Sequence, residues 1–164
     1  MFETIAENYR PDWRTPKAVV TLVQNIYGGT IKTDPCASQD PGYHFASTNL
    51  TTQGLEFPWD GTCYINPPYG RPISKWVEYG SSQSCPQIWL VPARVDTRWW
   101  RKLMSYTAIF AIKDGRLKFD DGKNPAPFPS ALVCTEHYKA QFIELVSQNG
   151  WTFYVQEHCQ LPRS

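Results

Sequence analysis

The chain of 164 residues has little of several features that would place it at once. Its five cysteines, Cys36, Cys63, Cys85, Cys134 and Cys159, form no CxxC pair. Their odd count and wide spacing argue against a disulfide framework or a zinc site and for reduced thiols. His44, His137 and His158 fall at no ligand-like spacing and read as structural or surface residues, so no metal is expected. The opening Met1-Phe2-Glu3-Thr4-Ile5-Ala6-Glu7 lacks a basic stretch followed by an apolar one, which argues against a secretory leader. No apolar run approaches membrane-spanning length, so a cytoplasmic protein without a membrane partner is expected. The net charge is only +1, so any contact with nucleic acid must come from a local patch. Internal repeats and low-complexity tracts are absent.

What is present fits a globular chain: 41% hydrophobic and 19% charged residues, with a high aromatic share of 15%. One domain over 1–164 is expected, burying about 70% of the unfolded surface. Aromatics at this level serve the core first, but stacking surfaces also need them.

The chain is organised around Asn66-Pro67-Pro68-Tyr69, preceded by a short apolar strand over 62–65 and followed by Gly70-Arg71-Pro72. Two consecutive prolines lock their own φ angles, and Pro68 forces Pro67 into an extended conformation. Neither donates an N–H, so the corner is rigid and offers carbonyls and an amide side chain. A corner at the carboxyl end of a strand lies where open α/β sheets bind ligands. The chemistry that suits it is attack by a planar amine such as adenine N6, whose lone pair is delocalised into the ring. Two acceptors on its hydrogens, the Asn66 side-chain oxygen and the Pro67 carbonyl, would draw the nitrogen toward tetrahedral geometry. Tyr69 would stack on the base, a contact worth about 1–3 kcal/mol.

Elsewhere the pattern alternates strands and helices. Thr15 is a good helix cap and Pro16 suits the first helical position. Val19, Leu22, Val23 and Ile26 then form one apolar face, stopped by Gly28-Gly29. A strand over 30–34 ends in Asp34-Pro35-Cys36-Ala37-Ser38, where small residues would let the main chain approach a nucleoside–amino acid cofactor; no GxG follows Asp34. A second strand is expected at 43–46, with Asn49 in the place where many cofactor-binding α/β enzymes put a ribose-binding acid. Further elements are a helix over 75–79 capped by Ser74, a strand over 87–91, a helix starting at Asp96 or Thr97, a strand over 107–113, a returning hairpin arm over 116–119, a loop over 120–129, a strand over 130–135, a helix over 138–149 and a last strand over 151–156. Arg98, Trp99, Trp100, Arg101 and Lys102 form the densest basic and aromatic stretch. At least one of the two indoles is expected in the core, with the cations outward toward phosphates.

The ordered set Trp13-x-Thr15-Pro16, Asp34-Pro35-Cys36-Ala37-Ser38, Asn66-Pro67-Pro68-Tyr69-Gly70, Val91-Pro92-Ala93-Arg94-x-Asp96-Thr97 and Gly115-Arg116-Leu117-Lys118-Phe119 resembles the phage-type DNA N6-adenine methyltransferases (the phage Dam family). The resemblance covers roughly residues 12–135. It implies an α/β fold of the class I, Rossmann-like kind that uses S-adenosyl-L-methionine and leaves S-adenosyl-L-homocysteine. The sheet would have seven mostly parallel strands, with an antiparallel strand near the C-terminus. Trp13, Thr15, Pro16, Asp34, Pro35, Cys36, Ala37 and Ser38, with Asn49 and Asn66, would line the cofactor site, and Asn66, Pro67, Pro68 and Tyr69 would hold the target adenine. Family members commonly act on GATC or related short sites, and a role in protection from restriction is the purpose the resemblance suggests.

Double-stranded DNA is the expected partner of a monomer or weak dimer. Phosphate contacts are expected from Arg71, Arg94, Arg98, Arg101, Lys102, Arg116 and Lys118, on small loop-based recognition elements at about 71–85, 94–102 and 114–129. An adenine in a duplex must be flipped or unpaired to react. Three other readings stand beside this one: methylation of RNA adenine, methylation of a protein glutamine amide by a similar Asn-Pro-Pro-Tyr corner, and a catalytically silent DNA-binding protein. The Arg/Trp-rich segment favours nucleic acid, and the complete Asn66–Tyr69 motif speaks against a silent protein.

Overall fold

Alternating side-chain direction along the central strands divides their buried apolar side chains between two cores. The computed structural model describes residues 13–119 and 125–157. Asp12, residues 120–124 of the expected loop, His158, Cys159 and the opening residues lie outside them.

Seven strands form one sheet: β1 (Thr33–Asp34), β2 (Thr48–Asn49), β3 (Cys63–Ile65), β4 (Gln87–Pro92), β5 (Ile109–Lys113), β6 (Ser130–Cys134) and β7 (Trp151–Val155). Among the described residues the α-helices are α1 (Lys17–Ile26), α2 (Ile73–Ser81), α3 (Arg98–Tyr106) and α4 (Lys139–Gln148). Tyr64, Ile88, Leu90, Leu132 and Cys134 face one way and pack with Val19, Val23 and Ile26 of α1 and Phe142 and Val146 of α4. Cys63, Ile65, Trp89, Val91, Ala131 and Val133 face the other way and pack with Ile73 and Val77 of α2 and Trp100 and Leu103 of α3. The result is a sheet between two helical layers, which buries both faces of its central strands.

The strand order is β2-β1-β3-β4-β6-β5-β7. Neighbours are parallel from β2 through β4, and antiparallel for β4–β6, β6–β5 and β5–β7. The expected seven strands are there, and the sheet is mixed: β6 and β7 run against the other five, so two strands and not one are reversed. After β5 the chain doubles back and inserts β6 between β4 and β5, and β7 then takes the open side of β5. Because β6 opposes both its neighbours, β5 points the same way as β4. The segments that follow β1, β3, β4 and β5 therefore emerge along one edge of the sheet.

Several local expectations change. The second strand is at Thr48–Asn49 and not at 43–46. There, Asp40 accepts the Gly42 N–H, Pro41 presets its φ, and a 3-10 turn forms over Pro41–Tyr43. Helix α2 begins at Ile73, because Pro72 and not Ser74 occupies the cap position. Pro16 likewise stands at the cap of α1, without any side-chain capping bond from Thr15. Thr97 does cap α3, accepting the Trp100 N–H at 3.2 Å. The arm at 116–119 forms no strand. A bond runs from the Ala126 N–H to the Leu117 carbonyl at 2.8 Å, while Leu117 and Phe119 turn inward and Arg116 and Lys118 outward.

One buried polar side chain ties the second core together. The Gln87 Oε1 accepts the Trp89 indole N–H at 2.9 Å and the Tyr106 hydroxyl at 3.0 Å, and its Nε2 donates to the Gly80 carbonyl at 2.9 Å. Gly80 is close to that cluster for a reason: a Cβ there would meet the Trp89 ring at 2.6 Å. Replacing Gln87 with Leu orphans both the indole and the phenol. At about 1–3 kcal/mol for each buried group left unpaired, urea unfolding of Gln87→Leu should show a loss of at least about 2 kcal/mol. A loss below about 0.5 kcal/mol would mean that the two donors find other acceptors.

Candidate active site

The diproline corner directly follows β3, so its position is set by the middle of the sheet. Pro67 is buried, Pro68 exposed and Tyr69 half-buried. Gly70 adopts φ +91°, a conformation that favours glycine, and turns the chain from the corner into α2.

Asn66 is held by the segment before α1. Its Nδ2 donates to the Trp13 carbonyl, and to the Thr15 Oγ1 at 3.3 Å. A carbonyl can only accept, so the nitrogen must face Trp13 and the amide has one possible orientation. The Asn66 Oδ1 is then left buried with no hydrogen-bond partner. Thr15, expected as a helix cap, spends its hydroxyl here and on the Tyr64 hydroxyl at 2.8 Å. Burial pushes the Tyr64 phenol well above its ordinary range, against the Thr15 bond, so it stays neutral.

A cavity of about 600 Å³ joins this corner to the turn after β1. It is lined by Trp13, Arg14, Thr15, Asp34, Cys36, Ala37, Ser38, Gln39, Tyr43, Phe45, Thr51, Asn66, Pro67, Pro68, Tyr69 and Pro72. Asp34 is 4% exposed, and its Oδ1 accepts the Cys36 N–H at 3.0 Å. Desolvation by burial pushes its carboxyl up to about 7, against the opposing pull of that N–H and of His44. The turn is held against β2 by bonds from the Ala37 N–H to the Leu50 carbonyl and from the Leu50 N–H to the Asp34 carbonyl, both 2.9 Å. Gly54 packs onto it so closely that a Cβ would lie 1.9 Å from the Pro35 carbonyl.

An aromatic group closes one side. Trp13 lies 6.4 Å from Tyr69 at 26°, and meets Phe119 and Phe128 edge-on at 5.2 Å each. Tyr69 also meets Phe128 at 5.5 Å, and its hydroxyl donates to the Leu90 carbonyl at 3.4 Å. Burial raises the Tyr69 phenol too, so it remains protonated.

Of the residues expected at the cofactor site, the cavity brings together Trp13, Thr15, Asp34, Cys36, Ala37, Ser38 and Asn66. Pro16, Pro35 and Asn49 do not line it. The Asn49 amide is spent on the main chain of Ala46, donating to its carbonyl at 2.7 Å and accepting its N–H at 3.3 Å. The residues at the cavity that were not expected are Arg14, Gln39, Tyr43, Phe45, Thr51 and Pro72. Arg14 had one sequence signal, its place between two expected residues.

The basic residues Arg71, Arg94, Arg98, Arg101, Lys102, Arg116 and Lys118 are all exposed, and none lines the cavity. Arg71, Arg94, Arg98, Arg116 and Lys118 follow the carboxyl ends of β3, β4 and β5, on the edge that carries the cavity. Arg101 and Lys102 sit farther along α3, where Lys102 pairs with Glu78 at 3.9 Å. Trp100 is core, as expected for one of the two indoles. The expected loop-based recognition elements are partly helical: α2 fills most of 71–85 and α3 half of 94–102. Among the described residues no three His, Cys, Asp or Glu side chains come together as a metal-binding group, and no helix is long and apolar enough to cross a membrane.

The seven-stranded mixed α/β sheet fits a methyltransferase-like α/β fold. Comparison with known families gives the particular one. The chain belongs to the DNA N-6-adenine-methyltransferase (Dam) family, which matches it over residues 3–148. No curated protein matches the chain. By family it is a DNA adenine-N6 methyltransferase, with DNA as its substrate.

The Asp34 carboxyl binds its proton more tightly in the folded chain, at about 7, than at its unperturbed value of 3.8. Its contribution to stability is full below about pH 4 and is lost as the pH rises through about 7. Chemical denaturation across that window should show the free protein losing stability, and Asp34→Asn should flatten the curve. An unchanged slope in the variant would place the titration elsewhere.

Proposed function

We propose that this chain transfers a methyl group from S-adenosyl-L-methionine to N6 of an adenine turned out of a short DNA site, GATC or a relative of it. On this reading the fold is a class I, Rossmann-like methyltransferase whose sheet carries an additional antiparallel half. The observation that carries the reading is the buried Asn66 Oδ1, which has no partner and stands at a cavity shared with Asp34.

The residues present fit the cofactor. The cavity, about 600 Å³, is within the usual range for a ligand of this size. Small side chains at Ala37 and Ser38 leave the main chain accessible, and Asp34 offers a carboxylate to a cationic ligand. Bound S-adenosyl-L-methionine would supply an activated methyl group on a sulfonium sulfur.

The remaining chemistry belongs to the protein. The Asn66 Oδ1 accepts one N–H of the exocyclic amine, and the Pro67 carbonyl accepts the other. Both acceptors are fixed in advance, the first by Trp13 and Thr15 and the second by the proline ring. Such preorganised dipoles need no rearrangement as charge develops on the nitrogen. Tyr69 supplies a ring face for the base, and its neutral phenol is tied to β4. The N6 proton can leave after transfer, so no strong base is required of the histidines. The exposed cations along the same edge hold phosphates, and duplex unstacking supplies the base.

Incubation with labelled S-adenosyl-L-methionine and plasmid DNA, followed by nucleoside analysis, tests the reading: label should appear in N6-methyladenine. Label found only in RNA or in protein glutamine would replace it with one of the other methyl-transfer readings. Asn66→Ala should lower kcat by about 10²–10³ while changing cofactor affinity far less. Asn66→Asp should also fail here, since a carboxylate oxygen would then face the Trp13 carbonyl. Equal losses in kcat and cofactor affinity for Asn66→Ala would remove the assigned role.

Neutralising Arg94 or Arg116 should weaken DNA binding about equally across sequences. It should also reduce the salt slope by about one unit. A slope that does not move would exclude that residue from phosphate contact.

A further inference from the structure

The five cysteines make no pattern along the chain, but the fold brings two of them together. Cys63 opens β3 and is the register partner of Gln87, the first residue of β4. Its N–H donates to the Pro86 carbonyl at 2.9 Å, so its backbone abuts the residue that follows Cys85. Both cysteines pack in the core that contains α2 and α3. There the two thiols are hydrogen-bonded to each other. The Gly61 carbonyl lies 3.3 Å from the Cys63 Sγ, and the Gln87 Nε2 donates to the Cys85 Sγ at 3.9 Å.

The two thiols differ in access and in acidity. Cys63 is 0% exposed, whereas Cys85 is partly exposed. The hydrogen bond with Cys85, and then burial, push the Cys63 thiol far above its ordinary value. The same bond draws the Cys85 thiol down, against its burial. Of two thiols in contact, the reachable and more acidic one attacks an electrophile, and its neighbour resolves the product. Cys134 packs in the other core and Cys36 lines the cavity, so both stand apart from this pair.

We infer that Cys63 and Cys85 form a dithiol site that a peroxide converts to a disulfide. The Cys85 sulfur attacks the O–O bond, takes one oxygen to become a sulfenic acid, and releases the other as an alcohol, or as water from hydrogen peroxide. The Cys63 sulfur then attacks the Cys85 sulfur. The S–O bond breaks, the hydroxyl leaves as water with the Cys63 proton, and the S–S bond forms. The two thiols give up two electrons and two protons, and the peroxide takes up both. The bridge closes a ring over residues 63–85, which holds the diproline corner and α2. Such a ring restricts the unfolded chain and so stabilises the fold.

Peptide mapping of the whole, unaltered chain after treatment with hydrogen peroxide tests this. Chymotrypsin separates Cys36, Cys63 and Cys85, because aromatic residues stand between them. Without reductant, the peptides that carry Cys63 and Cys85 should appear joined, two hydrogens lighter than the separate pair, and dithiothreitol should part them. The melting temperature should rise with the bridge and return on reduction. Cys85→Ser should show neither change and should keep Cys63 as a thiol. Cys63→Ala, which removes only the resolving thiol, should accumulate a Cys85 sulfenic acid that dimedone traps. Cys36→Ser should behave as the unaltered protein does.

The inference would be overturned if Cys63 and Cys85 stayed reduced while Cys36 was oxidised. A Cys85 that went on to sulfinic acid in the unaltered chain, or that paired with Cys134 or Cys159, would overturn it equally. The decisive map is made on the unaltered protein, so it stands even where a variant fails to fold. None of these readouts depends on methyl transfer.

Discussion

The hydrogen bond from the Asn66 amide to the Trp13 carbonyl is the constraint on which the rest of the site depends. It joins two segments 53 residues apart in the chain. It fixes which way round the amide sits, because a main-chain carbonyl leaves the nitrogen no alternative. From that one polarity follow the unpartnered Oδ1, the use of the Thr15 hydroxyl, and the placement of Arg14 between two anchored residues. The prolines give the corner stiffness; the bond to Trp13 gives it direction.

Around that bond the two cores divide the work. The core that contains α1 and α4 carries Trp13, Tyr64 and the ring group of Phe119 and Phe128, so it backs the Trp13 wall of the cavity. The core that contains α2 and α3 holds β3 and β4 through Trp89, Gln87 and Gly80, so it sets the height of the corner. Tyr69 packs against both. Its ring is thus placed by the whole sheet and not by the loop in which it sits.

Much of this was legible in the sequence. The apolar face at Val19, Leu22, Val23 and Ile26, the strand before Asn66, the Thr97 cap and the Asp34 turn depend on local periodicity or local turn chemistry, and all are where the pattern puts them. Other features depend on what a side chain meets across the fold. Thr15 has a capping residue's chemistry but finds Tyr64 and Asn66 closer to hand. Asn49 has a ligand's chemistry but closes on Ala46. The aromatic stretch at 43–46 looks like a strand, yet Asp40 and Pro41 start a turn first. Strand order across the antiparallel half is set by long-range pairing, which leaves no short-range mark.

The stretch at 116–119 has a two-sided character. Arg116 and Lys118 look outward while Leu117 and Phe119 look in, and Phe119 bears on the indole of Trp13. The outer pair and the inner pair share one short backbone, so neither can shift independently of the other. The charged side lies within two residues of the ring against which Trp13 rests. Surface charge and the support behind Trp13 thus meet in a strip of chain that belongs to no helix or strand.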